Sequence, residues 1–296
     1  EAGAAPPRPC GVNSHVHLPP NFSAFASVEQ VVDLAAEQGV RVLGVSNYYD
    51  FGVYGDFVDR ARRAGIFPLF GTEIIALIRP LVRAGVRVND PGNPGKIYIC
   101  GKGITRFEDL SDEARRLLGL IRRNDEARMA EMCRRLEGLF AAAGVQTGLD
   151  APAVVERVVR RHGCPREVVT LQERHLAQAF QEVLFDRVGP EGRAALLARL
   201  FGVAPKGDAN DPLAVQGQIR THLMKAGKAA FVEETFLDFE QAYRLILELG
   251  GIPCYPTLAD GVQPVCEYEQ PVEKLIENVR GLNVHCAEFI PIRNRP

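Results

Sequence analysis

The sequence lacks the features that mark membrane-spanning, disulfide-bonded and strongly nucleic-acid-binding proteins. No apolar run approaches the roughly 20 residues that a membrane helix needs. The 7 cysteines are an odd number and include no C-x-x-C pair, so the sequence signals neither a disulfide framework nor a thiolate zinc site. The formal net charge of -2 gives no electrostatic reason to expect tight, nonspecific binding of nucleic acid. We therefore expect a cytoplasmic globular protein without a membrane segment, for which a small anionic ligand is possible.

Between residues 10 and 104, short apolar runs alternate with amphipathic stretches. The runs are Cys10–Leu18, Val40–Tyr48, Phe67–Leu77 and Lys96–Gly103, and the first two gaps contain the predicted helices Val28–Gln38 and Asp56–Ala64. A glycine follows each helix, as is common where helices end. The alternation returns in the predicted helices Phe239–Leu249 and Val272–Val279 and the predicted strands Ile252–Thr257 and Val284–Ile292. Strands that alternate with helices predict parallel pairing.

Residues 106–230 have a different character, because strand signals vanish and Ala, Leu, Arg and Glu recur at helical spacing. We interpret this segment as an all-helical insertion in an α/β barrel formed by residues 1–105 and 231–296. In parallel α/β barrels the catalytic groups lie where strands end and the following loops begin. Functional residues are therefore expected at the ends of the apolar runs.

Two histidines and a glutamate are the best candidates for metal ligands. His15 and His17 alternate by two near the end of the first predicted strand, so both rings project to the same side, as two ligands of one ion should. Glu73 ends the third run just after Gly71, and its carboxylate suits hard or borderline cations. The alternative is that the histidines are simply polar residues at a barrel mouth and that the glutamate is solvated.

These motifs resemble the start of a polymerase-and-histidinol-phosphatase (PHP) domain. The span 11–77 has that family's order of H-x-H, helix, apolar strand and Gly71-x-Glu73. Phe231–Pro256 resembles the family's later segment, and the insertion is similar to that of members acting on nucleoside bisphosphates or short nucleic-acid ends. The resemblance implies a TIM-like (β/α)7-type distorted barrel and a metal-dependent phosphoesterase.

Several positions depart from the family's pattern. Ser46-Asn47-Tyr48 stands where the family usually has Thr-Asp-His, Tyr98 stands where a His is usual, and Tyr255 replaces the His of a His-Pro pair. A final Asp-x-His pair is not found in the sequence. A phenol is a poor ligand at neutral pH unless the metal deprotonates it. The departures predict a degenerate site with fewer ions than the three usual in the family.

The predicted metal ligands are His15, His17, Glu73, His285 and Glu288, and the predicted catalytic residues are Asp50 and His175. His285 and Glu288 are three apart on a probable strand, so only one can point inward. We favour Glu288, with a barrel-interior ion pair as the alternative. The resemblance places His175 near the substrate, and the alternative is a surface position on a helix.

The leading hypothesis is a phosphoesterase that uses Zn, Mn or Fe and acts on a small, nucleotide-like phosphate ester. We expect no nucleic-acid partner beyond nucleotides or short ends. A second hypothesis is an inactive barrel that serves as a binding or regulatory module, because several expected ligands are missing. A third is an amidohydrolase, for which Lys102 is the only nearby candidate for the bridging lysine. The cysteines Cys100, Cys254 and Cys286 are interpreted as small buried apolar groups.

Overall fold

The structure is a computed structural model that describes residues 11–257 and 265–289. Contacts divide the chain into two compact units. The first comprises the described parts of residues 1–19, 23–115 and 238–296, and the second comprises residues 20–22 and 116–237. The domain limits that the sequence suggested, 105/106 and 230/231, stay a prediction. Cys10 and the end of the predicted last strand, residues 290–292, lie outside the described ranges.

The first unit contains a seven-stranded sheet. Its strands are β1 (Gly11–Val16), β2 (Val40–Val45), β3 (Phe67–Leu77), β4 (Lys96–Lys102), β5 (Leu237–Asp238), β6 (Ile252–Pro256) and β7 (Cys286–Glu288). They follow the order β1-β2-β3-β4-β6-β7, and β5 pairs with β3 off this path. Side chains of β1 and β7, the two ends of the path, contact each other. The sheet is therefore curled, and the α/β fold is consistent with a distorted barrel.

The helices are α1 (Val28–Glu37), α2 (Tyr54–Arg63), α3 (Arg79–Ala84), α4 (Asp112–Ala142), α5 (Ala151–His162), α6 (Glu173–Arg187), α7 (Pro190–Phe201), α8 (Pro212–Ile219), α9 (Phe239–Glu248) and α10 (Val272–Gly281). Short 3-10 turns occupy Arg166–Val168 and Glu267–Glu269, and a π turn occupies Arg220–Met224. In the described part of the chain, no helix is both long and apolar enough to cross a membrane.

The direction of β4 corrects the prediction of uniform parallel pairing. The pairs β1–β2, β2–β3 and β6–β7 are parallel, but β4 runs antiparallel to both β3 and β6. The segment between β3 and β4 folds back on itself, because Ile78 N donates to Gly95 O at 2.8 Å and Arg87 bridges Pro94. It therefore forms a hairpin-like connection instead of the crossover that a parallel neighbour requires.

Local sequence signals explain where the helices next to the sheet begin and end. The Ser27 side chain accepts a hydrogen bond from Gln30 N and so caps α1, as serine commonly does. Gly39, directly after that helix, has a φ of 69°, which a residue with a side chain rarely adopts. α1 buries Val31 and Val32, the apolar stripe expected of a helix that covers a sheet.

The second unit is helical in every element that the structure describes between residues 116 and 236. Phe140 and Phe180 belong to its apolar cluster, with ring centroids 4.9 Å apart, and both are fully buried. Asp150 caps α5 by accepting from Ala153 N, and Gly163 ends that helix in the left-handed conformation. This unit therefore has its own apolar core.

Candidate metal centre

Asn47 holds the segment that follows β1. Its Oδ1 accepts from Leu18 N at 2.7 Å, and its Nδ2 donates to Leu18 O at 3.1 Å. Ser46 N donates to Val16 O at 2.9 Å, which continues the strand pairing to the end of β1. A buried amide that is engaged on both sides is a structural clamp. Asn47 thus fixes where His17 leaves the strand, which gives a role to one departure from the family pattern.

Three atoms of the ligand type meet at the end of β1. His15 Nε2 lies 3.4 Å from His17 Nε2, and Glu73 Oε2 lies 3.1 Å from each of them. Around a tetrahedral ion with bonds of about 2.0–2.1 Å to nitrogen and oxygen, neighbouring ligand atoms are about 3.3 Å apart. The three atoms therefore already have the spacing of ligands on one face of a tetrahedron.

Glu73 lies in the middle of β3, whereas the sequence suggested the end of a run. Its cross-strand partner on the antiparallel β4 is Cys100. Two residues earlier, Gly71 lets the neighbouring backbones approach closely, since a Cβ there would lie 2.7 and 2.8 Å from two carbonyl oxygens. The buried carboxylate therefore reaches His15 and His17 from a rigid sheet position and not from a loop.

Glu288 lies on the other side of the His15 ring. Its Oε2 is 2.8 Å from His15 Nδ1, and its Oε1 accepts from Lys102 Nζ at 2.6 Å and from Ser14 Oγ. A carboxylate that accepts a hydrogen bond from Nδ1–H fixes the tautomer of an imidazole and orients its Nε2 toward the ion. In this arrangement Glu288 positions His15, and Lys102 compensates its charge.

The carboxylates also control the charge of the imidazole between them. Burial lowers the pKa of His15, but hydrogen bonds with Cys100, Glu288 and Glu73 outweigh it and raise the pKa to about 12. Burial would raise the pKa of Glu73, yet hydrogen bonds from His15 and His17 hold it far below its usual range. The metal-free cluster therefore contains a protonated His15 between two carboxylates, and the proton occupies the place that a cation would take.

The ring of His17 is held by stacking. The Tyr48 ring lies parallel to it, with centroids 4.9 Å apart and an interplanar angle of 8°. Among the described residues, His17 Nδ1 is buried without a hydrogen-bond partner. Burial and the nearby Glu73 carboxylate raise the pKa of Tyr48 well above its ordinary value, so its phenol stays neutral. Tyr48 therefore supports the ligand His17 by packing.

Strand alternation turns Tyr255 away from the cluster. Cys100, Cys254 and Cys286 are successive cross-strand partners on β4, β6 and β7, so their side chains share the face that carries Glu288. Tyr255 points to the opposite face, where its hydroxyl donates to Glu269 at 3.1 Å. The β6 residue that shares the face of Glu288 is consequently Cys254, and the Tyr255 phenol does not share it.

Asp50 and His285 make contacts with residues close to them in the sequence. Asp50 Oδ1 accepts from Gly52 N at 2.9 Å and so stabilises the turn after β2. His285 precedes β7 and is exposed, and its Nε2 lies 3.2 Å from Asn283 Oδ1. Of the predicted ligands, the structure brings together His15, His17, Glu73 and Glu288 and leaves His285 outside.

His175 belongs to the helical unit. It is buried, which corrects the alternative of a surface position. Its Nδ1 accepts from Gln172 N at 3.0 Å and completes a capping box at the start of α6. Burial lowers the pKa of His175 to about 3, so the ring is neutral at ordinary pH. These contacts give His175 a structural role at the start of a helix.

Sequence reasoning missed two groups beside His15. Cys100 Sγ lies 3.9 Å from His15 Nδ1 and 4.0 Å from Glu288 Oε2, and Lys102 donates to Ser14 O at 2.9 Å. The residues 98, 100 and 102 alternate along β4, which places Cys100 and Lys102 on one face. An antiparallel hairpin assigned between β3 and β4 would have placed both of them opposite Glu73 and Gly71.

No family model matches the chain, and no curated protein has a significantly similar sequence. Solved structures do match its fold. An amidohydrolase from Chromobacterium violaceum, solved with sulfate and no metal, matches with a TM-score of 0.58 and 17% identity, over 94% of this chain and 76% of its own. A protein from Bifidobacterium adolescentis, described as a proposed metal-dependent phosphoesterase, matches with a TM-score of 0.59 and 13% identity, over 98% of this chain and 82% of its own. The chain therefore shares the fold of these hydrolases, and at such identities the likeness concerns the fold alone.

Proposed function

We propose that the protein is a divalent-metal-dependent hydrolase of a small phosphate ester, with the ion held by His15, His17 and Glu73. The triangle of two Nε2 atoms and one Oε2 atom, 3.1–3.4 Å on a side, carries this proposal. Three protein ligands with an open fourth position are typical of catalytic zinc sites, whereas structural sites have four. When bound, a divalent ion supplies Lewis acidity, which stabilises charge on phosphoryl oxygens and makes water more acidic.

The charge of the ligand set supports an anionic substrate. Glu73 is the only carboxylate in the triangle, and the two imidazoles are neutral when they act as ligands. A divalent ion held there keeps an excess positive charge, which attracts a phosphate group. Lys102 does not add to this charge, since its ammonium is paired with Glu288 at 2.6 Å. The nitrogen-rich set suits Zn or Fe, and the carboxylate also accepts Mn.

The surrounding residues prepare the imidazoles for this role. Glu288 accepts a hydrogen bond from the Nδ1–H of His15, so the lone pair of the neutral imidazole is on Nε2 and faces the other two ligand atoms. Tyr48 keeps the His17 ring in one plane. The finer fold assignment, a (β/α)7-type barrel with the site at its mouth, and a nucleotide-like substrate belong to this proposal. They are supported by the sequence resemblance and by the fold shared with the two hydrolases.

The proposal is tested by metal binding and hydrolysis in a matched pair of variants. Metal-free protein is titrated with Zn²⁺, Mn²⁺ and Fe²⁺ and assayed on phosphate monoesters and nucleotides. His17→Ala is expected to lower Zn²⁺ affinity by at least about 100-fold, the upper end of what the loss of an outer-shell partner costs. His285→Ala, an exposed histidine outside the cluster, should change neither affinity nor activity.

Two other outcomes would replace the proposal. Protein that takes up none of the three metals stoichiometrically and hydrolyses no phosphate ester would be a binding barrel, as the second hypothesis holds. Protein that binds metal but hydrolyses only amide substrates would be an amidohydrolase. The geometry disfavours that result, because Lys102 donates to both Glu288 and Ser14 and is not available to bridge two ions.

A further inference from the structure

A second set of ligand-type atoms surrounds the Nδ1 side of His15. Cys100 Sγ lies 3.9 Å from His15 Nδ1 and 4.0 Å from Glu288 Oε2, and the oxygen lies 2.8 Å from the nitrogen. All three atoms lie within 4.8 Å of one another. This set shares only His15 with the triangle that contains His17 and Glu73 and so has its own pair of anionic groups.

The sulfur distances, which are those of long hydrogen bonds, are also close to the distances between ligands of one ion. A thiol at 3.9–4.0 Å is at the outer limit of a hydrogen bond. Around a tetrahedral ion with a Zn–S bond of about 2.3 Å and a Zn–N bond of about 2.0–2.1 Å, the sulfur and nitrogen are about 3.6 Å apart. A closer approach of Cys100, together with a wider separation of the His15 and Glu288 atoms than their 2.8 Å hydrogen bond, would complete a ligand set.

The sheet itself supplies this sulfur-rich surface. Cys100 is fully buried, and its cross-strand partner Cys254 and that residue's partner Cys286 continue a row of free thiols on the same face. A cysteine that ligates a metal binds as the thiolate, and its proton is released to solvent. Because Lys102 already compensates the charge of Glu288, a second cation here depends on the thiolate for its charge balance. Soft thiolate ligands select thiophilic ions over Mg or Mn.

We infer that His15 Nδ1, Cys100 Sγ and Glu288 Oε2 form a second cation-binding position that takes a thiophilic ion such as Zn²⁺ or Cd²⁺. An ion there replaces the Nδ1 hydrogen that otherwise bonds to Glu288, and that proton is released to solvent. When both positions are filled, His15 bridges them as an imidazolate. The inference does not depend on the proposed hydrolysis, because the second position uses neither His17 nor Glu73.

Cadmium titration tests the inference through a signal that only sulfur ligation produces. Reduced, metal-free protein is titrated with Cd²⁺ while the ultraviolet thiolate-to-cadmium charge-transfer band is recorded. The band is expected in the wild type and should disappear in Cys100→Ala. It should persist in Cys254→Ala, the matched control from the next strand, and in His17→Ala, which disables only the first position.

The opposite results overturn the inference. A wild type without the band, or a band that survives in Cys100→Ala, would show that Cys100 is not the sulfur ligand. A band lost in Cys254→Ala would show that the sulfur ligand set is not the one inferred. Loss of the band in His17→Ala would show that the two positions are not separate. If Cys100→Ala fails to fold, ¹¹³Cd NMR of the wild-type full chain decides, because a spectrum without a sulfur-ligated resonance refutes the assignment.

Discussion

Glu288→Gln removes the negative charge that Lys102 and His15 share while keeping the size of the side chain. The side chains of Lys102 and Glu288 are only 12% and 6% exposed, and their charged atoms are 2.6 Å apart. Removing one partner of such a pair costs about 3–5 kcal/mol, because the other charge stays buried. Lys102 keeps hydrogen bonds to Ser14 O and Ser46 Oγ, so we expect the lower end, about 3 kcal/mol.

A double variant separates this loss of stability from the effect on metal affinity. Lys102→Met in the Glu288→Gln background removes the stranded ammonium and should recover much of the free energy of unfolding. The second substitution should not recover metal affinity, since the neutral amide introduced by Glu288→Gln does not accept the hydrogen bond from His15 Nδ1–H as a carboxylate does. For both variants we expect Zn²⁺ affinity to fall about 10- to 100-fold, as is usual when a carboxylate partner of a ligand histidine is lost.

The measurements are urea unfolding of the chelator-treated protein and Zn²⁺ competition against a chromophoric chelator. Wild-type affinity in Glu288→Gln would refute the role of Glu288 in positioning His15. Recovery of affinity together with stability in the double variant would show that the carboxylate acts only through folding. An unchanged free energy of unfolding in Glu288→Gln would mean that the pair with Lys102 is not buried in solution.

Three further results are expected. Burial lowers the pKa of His15, but its hydrogen bonds outweigh burial and raise the pKa to about 12, so a metal ion must displace a proton from His15. The apparent affinity of the protein for the ion should therefore rise about tenfold per pH unit near neutrality. A flat pH profile in the chelator assay would contradict this. Burial would raise the pKa of Glu288, but hydrogen bonding with His15 acts against burial, and the pKa is lowered from 4.5 to about 2. The contribution of Glu288 to the stability of the metal-free protein is therefore present above pH 4.5 and lost as the pH falls toward 2. Acid unfolding would detect this loss. Gly71→Ala should lower the free energy of unfolding by about 1–3 kcal/mol through overpacking. Gly138→Ala, on α4 with open space around it, should raise the free energy of unfolding by about 0.5–1 kcal/mol. Equal shifts in melting temperature for the two variants would argue against the tight strand contact at Gly71.

The sequence was sufficient for several local elements and for the three candidate ligands that the structure brings together. Apolar runs and the glycines after them located β1, β2 and the two helices between the first three strands, because these signals depend on neighbouring residues alone. The same holds for His15 and His17, whose common side follows from an alternation of two. Glu73 was found on its chemistry, although its place in the middle of β3 was not.

The direction of β4 could not be obtained in this way. Apolar character marks Lys96–Lys102 as a strand in either orientation, and only the fold of the preceding segment, closed between Ile78 and Gly95, makes the pairing antiparallel. Fold-level expectations of an alternating barrel therefore gave the wrong pairing. The error matters for function, because the register of β4 against β3 decides which of its side chains face the cluster.

Strand register also decides which of the residues that depart from the family pattern share the face of the cluster. A shift of one residue along a strand moves every side chain to the other face, so a comparison by sequence position alone put Tyr255 beside the ligands when it is Cys254 that shares their face. The same alternation makes Cys100 the cross-strand partner of Glu73. The groups beside the ligands therefore include the Cys100 sulfur, near His15, and the Tyr48 phenol, which packs on His17. A cluster that offers sulfur as well as nitrogen and oxygen favours thiophilic ions over Mg or Mn.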